Sequence, residues 1–467
     1  MITDHHKFYN LLFIIINNLS NIIIKIYIIF LSNIIKNYFS IYRFLLMKKN
    51  AHEILFPNFK LYKPKDYHPD WKKLSIEASR LALNIAKIIK LQTNYFQGTL
   101  FQKRKILAIL GTLKNLFLNM RKMSKGNHNF IPIFYIWTMT NNCNFICTYC
   151  SNHRGGKYPE LYNEGFNKDL TTEQGRKLIK TMKKSSAIYY CGGEPTIRKD
   201  LPELLEYSTK LNMFNMINTN GSLIGDLLLR PRYKNFLMQM DVVIISLDSL
   251  NLDSLNSMYK VSDEVSYKVL RNILTLNILR NYVPFKLVAN TVITHDNIEE
   301  SFHILDFCND LNITFSPVSA NINHSADLDL LNNERYIELR KKIVERAKQG
   351  YPMIASPRML ERLLDFKGFN CYPVVFDHID YNGEVFWPCK AYDKAVMVDV
   401  LRYKNVKKLH EAAEKLIDPT NFHGSGPKQC QGNCAWMQNC VTDTYAQALI
   451  NGLFGSGLVK EIGGLLK

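Results

Sequence analysis

Between about residues 130 and 350, short apolar runs alternate with segments of helical periodicity, and few architectures accommodate that order. The strand-like runs are Ile131 to Thr138, Ala187 to Tyr190, Phe214 to Thr219, Val242 to Leu247, Phe285 to Ile293 and Ile313 to Val318. Helical patterns lie between several of them, at Thr172 to Lys183, Asp200 to Lys210, Glu264 to Leu279, Ile298 to Cys308 and Glu334 to Ala347. Strands separated by helices pair in parallel, through right-handed crossovers. No Gly-x-Gly-x-x-Gly follows any strand, so the expected class is α/β, a partial (β/α)6 barrel of TIM-barrel type rather than a dinucleotide-binding sheet. Motifs rich in polar or small residues close four of the proposed strands, at Asn142 onward, Gly192-Gly193-Glu194-Pro195, Asn218-Thr219-Asn220-Gly221 and Ser246-Leu247-Asp248-Ser249. In parallel barrels the C-terminal rim is where side chains from several strands converge.

The first of these motifs carries Cys143, Cys147 and Cys150, three thiols within eight residues. Four cysteines would saturate a four-iron cluster, whereas three leave one iron open to a ligand. Zinc is the competing reading; it needs a fourth ligand, and His153 is the nearest candidate. Disulfides are a further alternative, but disulfide frameworks belong mainly to small secreted domains.

Cys143-Asn144-Phe145-Ile146-Cys147-Thr148-Tyr149-Cys150 resembles the signature of the radical S-adenosylmethionine superfamily, with Tyr149 as the aromatic before the third cysteine. The resemblance covers about residues 130–330. It implies a [4Fe-4S] cluster on Cys143, Cys147 and Cys150, with the open iron binding the amino and carboxylate groups of S-adenosylmethionine. It implies also a 5′-deoxyadenosyl radical that takes a hydrogen atom from a substrate C–H bond, and an electron donor such as flavodoxin or ferredoxin. Gly192 and Gly193 allow a close backbone approach to a ligand, and Glu194 offers an acceptor to an ammonium group. The family's corresponding segment contacts the methionyl amino group. Tyr149 is expected near the adenine or as a cover for the cluster, and Ser246 and Asp248 as contacts to ribose hydroxyls or the methionyl end. Asn218, Asn220 and Asn290 are weaker rim candidates, and Cys191 and Cys308 read as small buried hydrophobes.

Five more cysteines, Cys371, Cys389, Cys430, Cys434 and Cys440, occupy the last quarter of the chain. Asp377 to Trp387 reads as a hairpin that turns at Asn382-Gly383 and brings Cys371 toward Cys389. The region resembles the auxiliary-cluster extension of peptide-modifying radical S-adenosylmethionine enzymes, the SPASM or twitch module. The spacings from Gly383 to Cys389 and from Cys430 to Cys434 are each one residue longer than the usual pattern. The resemblance implies one auxiliary [4Fe-4S] cluster with one cysteine left over; structural zinc is the alternative.

From Leu11 to Met47 the chain is mostly apolar, with Asn18, Asn21, Lys25, Ser32, Lys36, Ser40 and Arg43 recurring near one side of a helix. That pattern suits a helix lying in the headgroup region better than one that spans, because Asn17, Asn18, Ser20, Asn21 and Lys25 interrupt the best apolar window. Packing against the protein itself is the other reading. The formal charge of +18 agrees with an anionic membrane surface as partner. Nucleic acid ranks behind it, since neither zinc-finger spacing nor an RNA-reading aromatic motif is present. Attachment to the cytoplasmic face of the membrane follows from this reading.

The expected organisation is an amphipathic helix over residues 1–50, a helical linker over 51–125, the barrel over 126–350 and an auxiliary iron–sulfur domain over 351–467. The function expected is radical S-adenosylmethionine chemistry on a peptide or protein. A lipid or isoprenoid substrate, or a metal-binding scaffold without activity, are the alternatives.

Overall fold

The computed structural model describes residues 70–90, 95–123, 130–150, 168–322, 325–367, 375–390, 395–416, 422–423 and 426–427. The apolar segment of residues 11–47, His153, and Cys371, Cys430, Cys434 and Cys440 lie outside them.

Two helices, α1 (Trp71–Lys90) and α2 (Tyr95–Met123), precede the first strand. The alternating region then folds as β1 (Phe134–Thr138), α3 (Thr172–Met182), β2 (Ala187–Cys191), α4 (Leu201–Lys210), β3 (Phe214–Thr219), β4 (Val242–Ser246), α5 (Leu252–Tyr259), α6 (Asp263–Leu279), β5 (Lys286–Ile293), α7 (Ile298–Leu311), β6 (Thr314–Ser319) and α8 (Glu334–Lys348). Shorter helices join some of these. All six strands pair in parallel in sequence order. The helix ends are set locally. Thr171 accepts from the Gln174 amide while the Gln174 side chain accepts from the Thr171 amide, a reciprocal cap on α3.

The hairpin read from the sequence is present as β7 (Phe376–Ile379) and β8 (Glu384–Trp387), followed by β9 (Val396–Asp399). Its placement was not legible from the sequence. β7 lies parallel to β1, with Ile136 opposite His378, so the hairpin prolongs the barrel sheet. The result is a nine-stranded sheet in the order β9-β8-β7-β1-β2-β3-β4-β5-β6, and it does not close.

Alternation divides the sheet into two faces. Tyr135, Trp137, Ile188, Tyr190, Ile217, Val243, Ile245 and Leu287 form the outer face and are fully buried. Tyr190 donates to Ser208 on α4 at 2.9 Å, and its ring lies 6.2 Å from that of Trp137. On the inner face Val242, Ile244 and Val288 form an apolar floor with Tyr189, Phe214 and Met216. Toward the strand C-termini the same face turns polar: the registers align Thr138 with Cys191, and Ser246 with Asn290 and Ser316.

Helix α2 straps the opposite, N-terminal end of the sheet. The Asn119 side chain exchanges two hydrogen bonds with Ile131 ahead of β1, and Asn115 donates to the Lys184 carbonyl ahead of β2. Arg104 reaches the Met213 carbonyl ahead of β3 and forks onto Asp241 ahead of β4, with Nη2 2.7 Å from Oδ1. Lys105 donates to the Pro284 carbonyl ahead of β5. Among the described residues no helix is long and apolar enough to cross a membrane.

Arg104 and Asp241 are both buried and Lys105 stands 3.6 Å from the same carboxylate, so removing Asp241 leaves two cations without their partner and removing Arg104 leaves the carboxylate only the longer pairing. Arg104→Met or Asp241→Asn is expected to cost about 3–5 kcal/mol in chemical denaturation. The triple replacement Arg104→Met, Lys105→Met and Asp241→Leu should cost less than Asp241→Asn alone, because no cation is left facing a lost carboxylate.

Candidate functional site

The three cysteines sit on the loop that leaves β1, and this loop is fixed on both sides. On one side it lies against the Gly-Gly-Glu turn after β2. The Gly193 amide donates to the Thr140 carbonyl at 2.7 Å, and the Glu194 amide to the Asn142 carbonyl at 2.8 Å. This contact leaves no room for side chains. A Cβ on Gly193 would stand 2.1 Å from the Asn142 oxygen, and one on Gly192 2.4 Å from the Thr140 oxygen. Gly192 also has φ +142°, a conformation that suits glycine.

On the other side the loop lies against α5. The Ile146 amide donates to the Tyr259 carbonyl at 3.1 Å and the Thr148 amide to Met258 at 2.9 Å. Phe145 is buried against the Tyr259 ring at 5.2 Å. The Tyr149 hydroxyl donates to Asp248 at the end of β4.

Glu194 is wholly buried. One carboxylate oxygen accepts from the Thr196 amide, the Thr196 hydroxyl at 2.5 Å and the Thr219 hydroxyl at 2.6 Å; the other accepts from the Asn220 amide at 2.7 Å. Burial raises its pKa and those bonds pull against the rise. Asn220 in turn donates to the Asn144 side chain at 2.9 Å, and Asn144 to Ser222 at 3.0 Å. Asn144, between the first two cysteines, is thereby tied to the end of β3.

Asp248 is also wholly buried, with its pKa pushed up to about 6 by that burial, against hydrogen bonds from Tyr149, the Val292 amide and Tyr259. The Tyr259 hydroxyl reaches the Asp248 amide at 3.1 Å, and the Val292 amide donates to Asp248 Oδ1 at 2.7 Å. Both carboxylates are therefore engaged by the chain itself. Ser246 differs: it is half-buried on the polar inner face beside Asn290, which accepts from Ser316 at 3.0 Å. Asn218 is half-buried on that face, and its Oδ1 is buried without a hydrogen bond among the described residues.

Cys143, Cys147 and Cys150 are all partly exposed. Among the described residues, no three His, Cys, Asp or Glu side chains converge tightly enough to hold a single metal ion. The Phe145 amide donates to Cys143 Sγ at 3.4 Å, the kind of bond that steadies a thiolate on a cluster. With no metal present, burial pushes the Cys143 thiol up to about 11, and raises Cys147 with Asp248 and the other two thiols adding to the effect. Cys191 ends β2 on the inner face, its thiol pushed up to about 12 by burial, and Cys308 is buried in α7. Cys389 is buried beyond β8; the other four cysteines of the C-terminal group lie outside the described residues.

Sequence reasoning missed Thr219 and Tyr259. Thr219 was visible only as part of an ordinary Asn-Gly turn, and Tyr259 lies eleven residues beyond Asp248 with no motif around it.

Residues 137–308 match the model of the radical SAM superfamily, so the chain carries a radical SAM domain. An Fe-coproporphyrin III synthase of Methanosarcina barkeri is 41% identical over 91 residues, 19% of this chain and 21% of that one. An S-adenosylmethionine-dependent nucleotide dehydratase of Selenomonas ruminantium is 31% identical over 174 residues, 36% of this chain and 58% of its own. A PqqA peptide cyclase of Bradyrhizobium diazoefficiens is 31% identical over 96 residues, 20% of this chain and 23% of its own. Each alignment thus spans less than two thirds of the relative.

Two outcomes follow. Gly193→Ala should part the cysteine loop from the turn, lowering stability by about 1–3 kcal/mol and cutting the iron retained after anaerobic reconstitution. His378, on the inner face of β7, is held neutral by burial, its pKa lowered to about 3 with Lys390 adding to the shift. The stability this gives is full above the ordinary histidine range and is lost as pH falls from there toward 3. His378→Gln should flatten that part of the pH–stability curve in denaturant melts.

Proposed function

We propose that this radical SAM domain belongs to an enzyme that binds a [4Fe-4S] cluster through Cys143, Cys147 and Cys150 and acts on a C–H bond of a peptide or protein. The observation that carries the reading is the three-thiol loop seated on the Gly192-Gly193-Glu194 turn at the C-terminal rim of a parallel sheet. When bound, the cluster supplies the electron that cleaves S-adenosylmethionine to the radical that abstracts hydrogen.

The chain's own residues divide that work. The backbone of Gly192 and Gly193, bare of side chains, lets a ligand come close to the main chain beside the cysteine loop. Ser246 offers its hydroxyl from the polar inner face. Glu194 orients the Gly-Gly turn through Thr219 and Asn220, and Asp248 orients Tyr149 over the loop. We read these two carboxylates as positioning residues rather than direct contacts. The apolar floor of Val242, Ile244 and Val288 limits how deep water and substrate penetrate.

A peptide substrate is supported by the similarity to a PqqA peptide cyclase and by the C-terminal cysteines, read as an auxiliary cluster module with Cys371, Cys389, Cys430, Cys434 and Cys440 as its candidate ligands. A lipid or isoprenoid substrate is the second reading, favoured by the apolar, basic segment of residues 11–47. An electron donor such as flavodoxin or ferredoxin is part of either.

The test is anaerobic iron and sulfide analysis with electron paramagnetic resonance, on the reconstituted chain and on a Cys143→Ala, Cys147→Ala, Cys150→Ala variant. The parent should hold one cluster more than the variant and change its spectrum on adding S-adenosylmethionine; the variant should not respond. Zinc in place of iron, or a parent spectrum indifferent to S-adenosylmethionine, would overturn the proposal.

A further inference from the structure

Helix α2 fastens its inner side to the sheet and leaves an outer side of unusual composition. Along its 29 residues stand six basic side chains and no acidic one. Arg104, Ala108, Asn115, Leu116 and Asn119 face inward and are buried. The outward face is apolar: Ile106 is 41%, Leu110 53% and Phe117 39% exposed, with Leu107 and Leu118 beside them. Lys103, Lys114 and Arg121 run down the middle of the same face, also exposed. At 1.5 Å per residue that ridge is about 27 Å long. A solvated helix face would carry charges of both signs and few large apolar groups. This one pairs exposed Leu, Ile and Phe with cations alone, the composition of a helix that lies in a lipid headgroup layer.

Two further cations stand near the end of the helix. Lys122 at the end of the helix stands near Lys407, Lys184 and Glu414; burial lowers its pKa, the two cations lower it further and Glu414 pulls the other way.

We propose that the outer face of α2 docks the protein on an anionic lipid bilayer, with the C-terminal rim of the sheet turned away from it. Charge decides among the occupants. A second copy meeting the same face would set Lys103, Lys114 and Arg121 against their own equivalents. The basic segment of residues 11–47 would add cations to cations. Anionic headgroups neutralise the ridge while the acyl boundary takes up the apolar residues. This surface lies on described residues and stands independently of the peptide reading.

The experiment is sedimentation of the full chain with vesicles of phosphatidylcholine alone and of phosphatidylcholine with phosphatidylglycerol. The parent should pellet with the anionic vesicles and be released by salt. Lys103→Gln, Lys114→Gln and Arg121→Gln together should lower partitioning about ten-fold or more, with residues 1–50 unchanged. A second measurement does not depend on that variant folding: an environment-sensitive fluorescent amino acid placed at position 110 of the full chain. Its emission should shift to the blue with anionic vesicles only. A probe at 110 that ignores vesicles to which the chain binds would overturn the proposal, as would equal binding to neutral and anionic lipid. Lipid-free dimerisation that shifts the probe would assign the face to a second copy instead.

Discussion

The buried carboxylate of Glu194 is the joint on which the rim is assembled. A carboxyl group with no exposure survives only where partners surround it, and four donors from three residues do so here. The donors serve two tasks. Thr196 fixes the turn after β2, Thr219 and Asn220 bring in the end of β3, and Asn220 passes the connection to Asn144 inside the cysteine loop. Three successive strand ends are thereby locked in one arrangement. Replacing the carboxylate with an amide would set one donor against another, because every one of its partners donates.

A second tether works from the far side. Asp248 holds Tyr149 and is itself held by Val292 and Tyr259, so β4, β5 and α5 all act on the residue next to Cys150. The cysteine loop is thus gripped between β3 and β4 contacts rather than carried by its own short sequence. Helix α2 fixes the strand origins at the opposite end, so the strand tips inherit a spacing set at both ends of the sheet.

Much of this was readable beforehand. The six parallel strands were legible because β-branched and aromatic runs such as Val242–Ser246 alternate with amphipathic helices, and local periodicity is a property of the chain itself. The motifs at the strand ends were legible because glycines and cysteines at fixed spacing have few other uses. The carboxylates were found as residues of interest but not in their relation to the chain. Whether Glu194 faces a ligand or Thr219 depends on contacts made 25 residues away, which no local pattern encodes. The docking of β7 on β1 was hidden for the same reason, since it joins positions such as Ile136 and His378 through backbone hydrogen bonds indifferent to side-chain identity. A helical linker over residues 51–125 was expected, but which side of α2 met the sheet was not legible.

The sheet that begins at β9 and ends at β6 has two edges and no closure. At the β6 edge, Phe315 exchanges backbone bonds with Pro352 and Ile354, which stops that edge without joining it to β9. A closed ring of strands passes only what fits down its mouth, so the longest dimension of a guest is capped by the bore. A ring interrupted at a seam has no such cap. Among the described strands, the seam between β6 and β9 sets no such bound on the length of a guest.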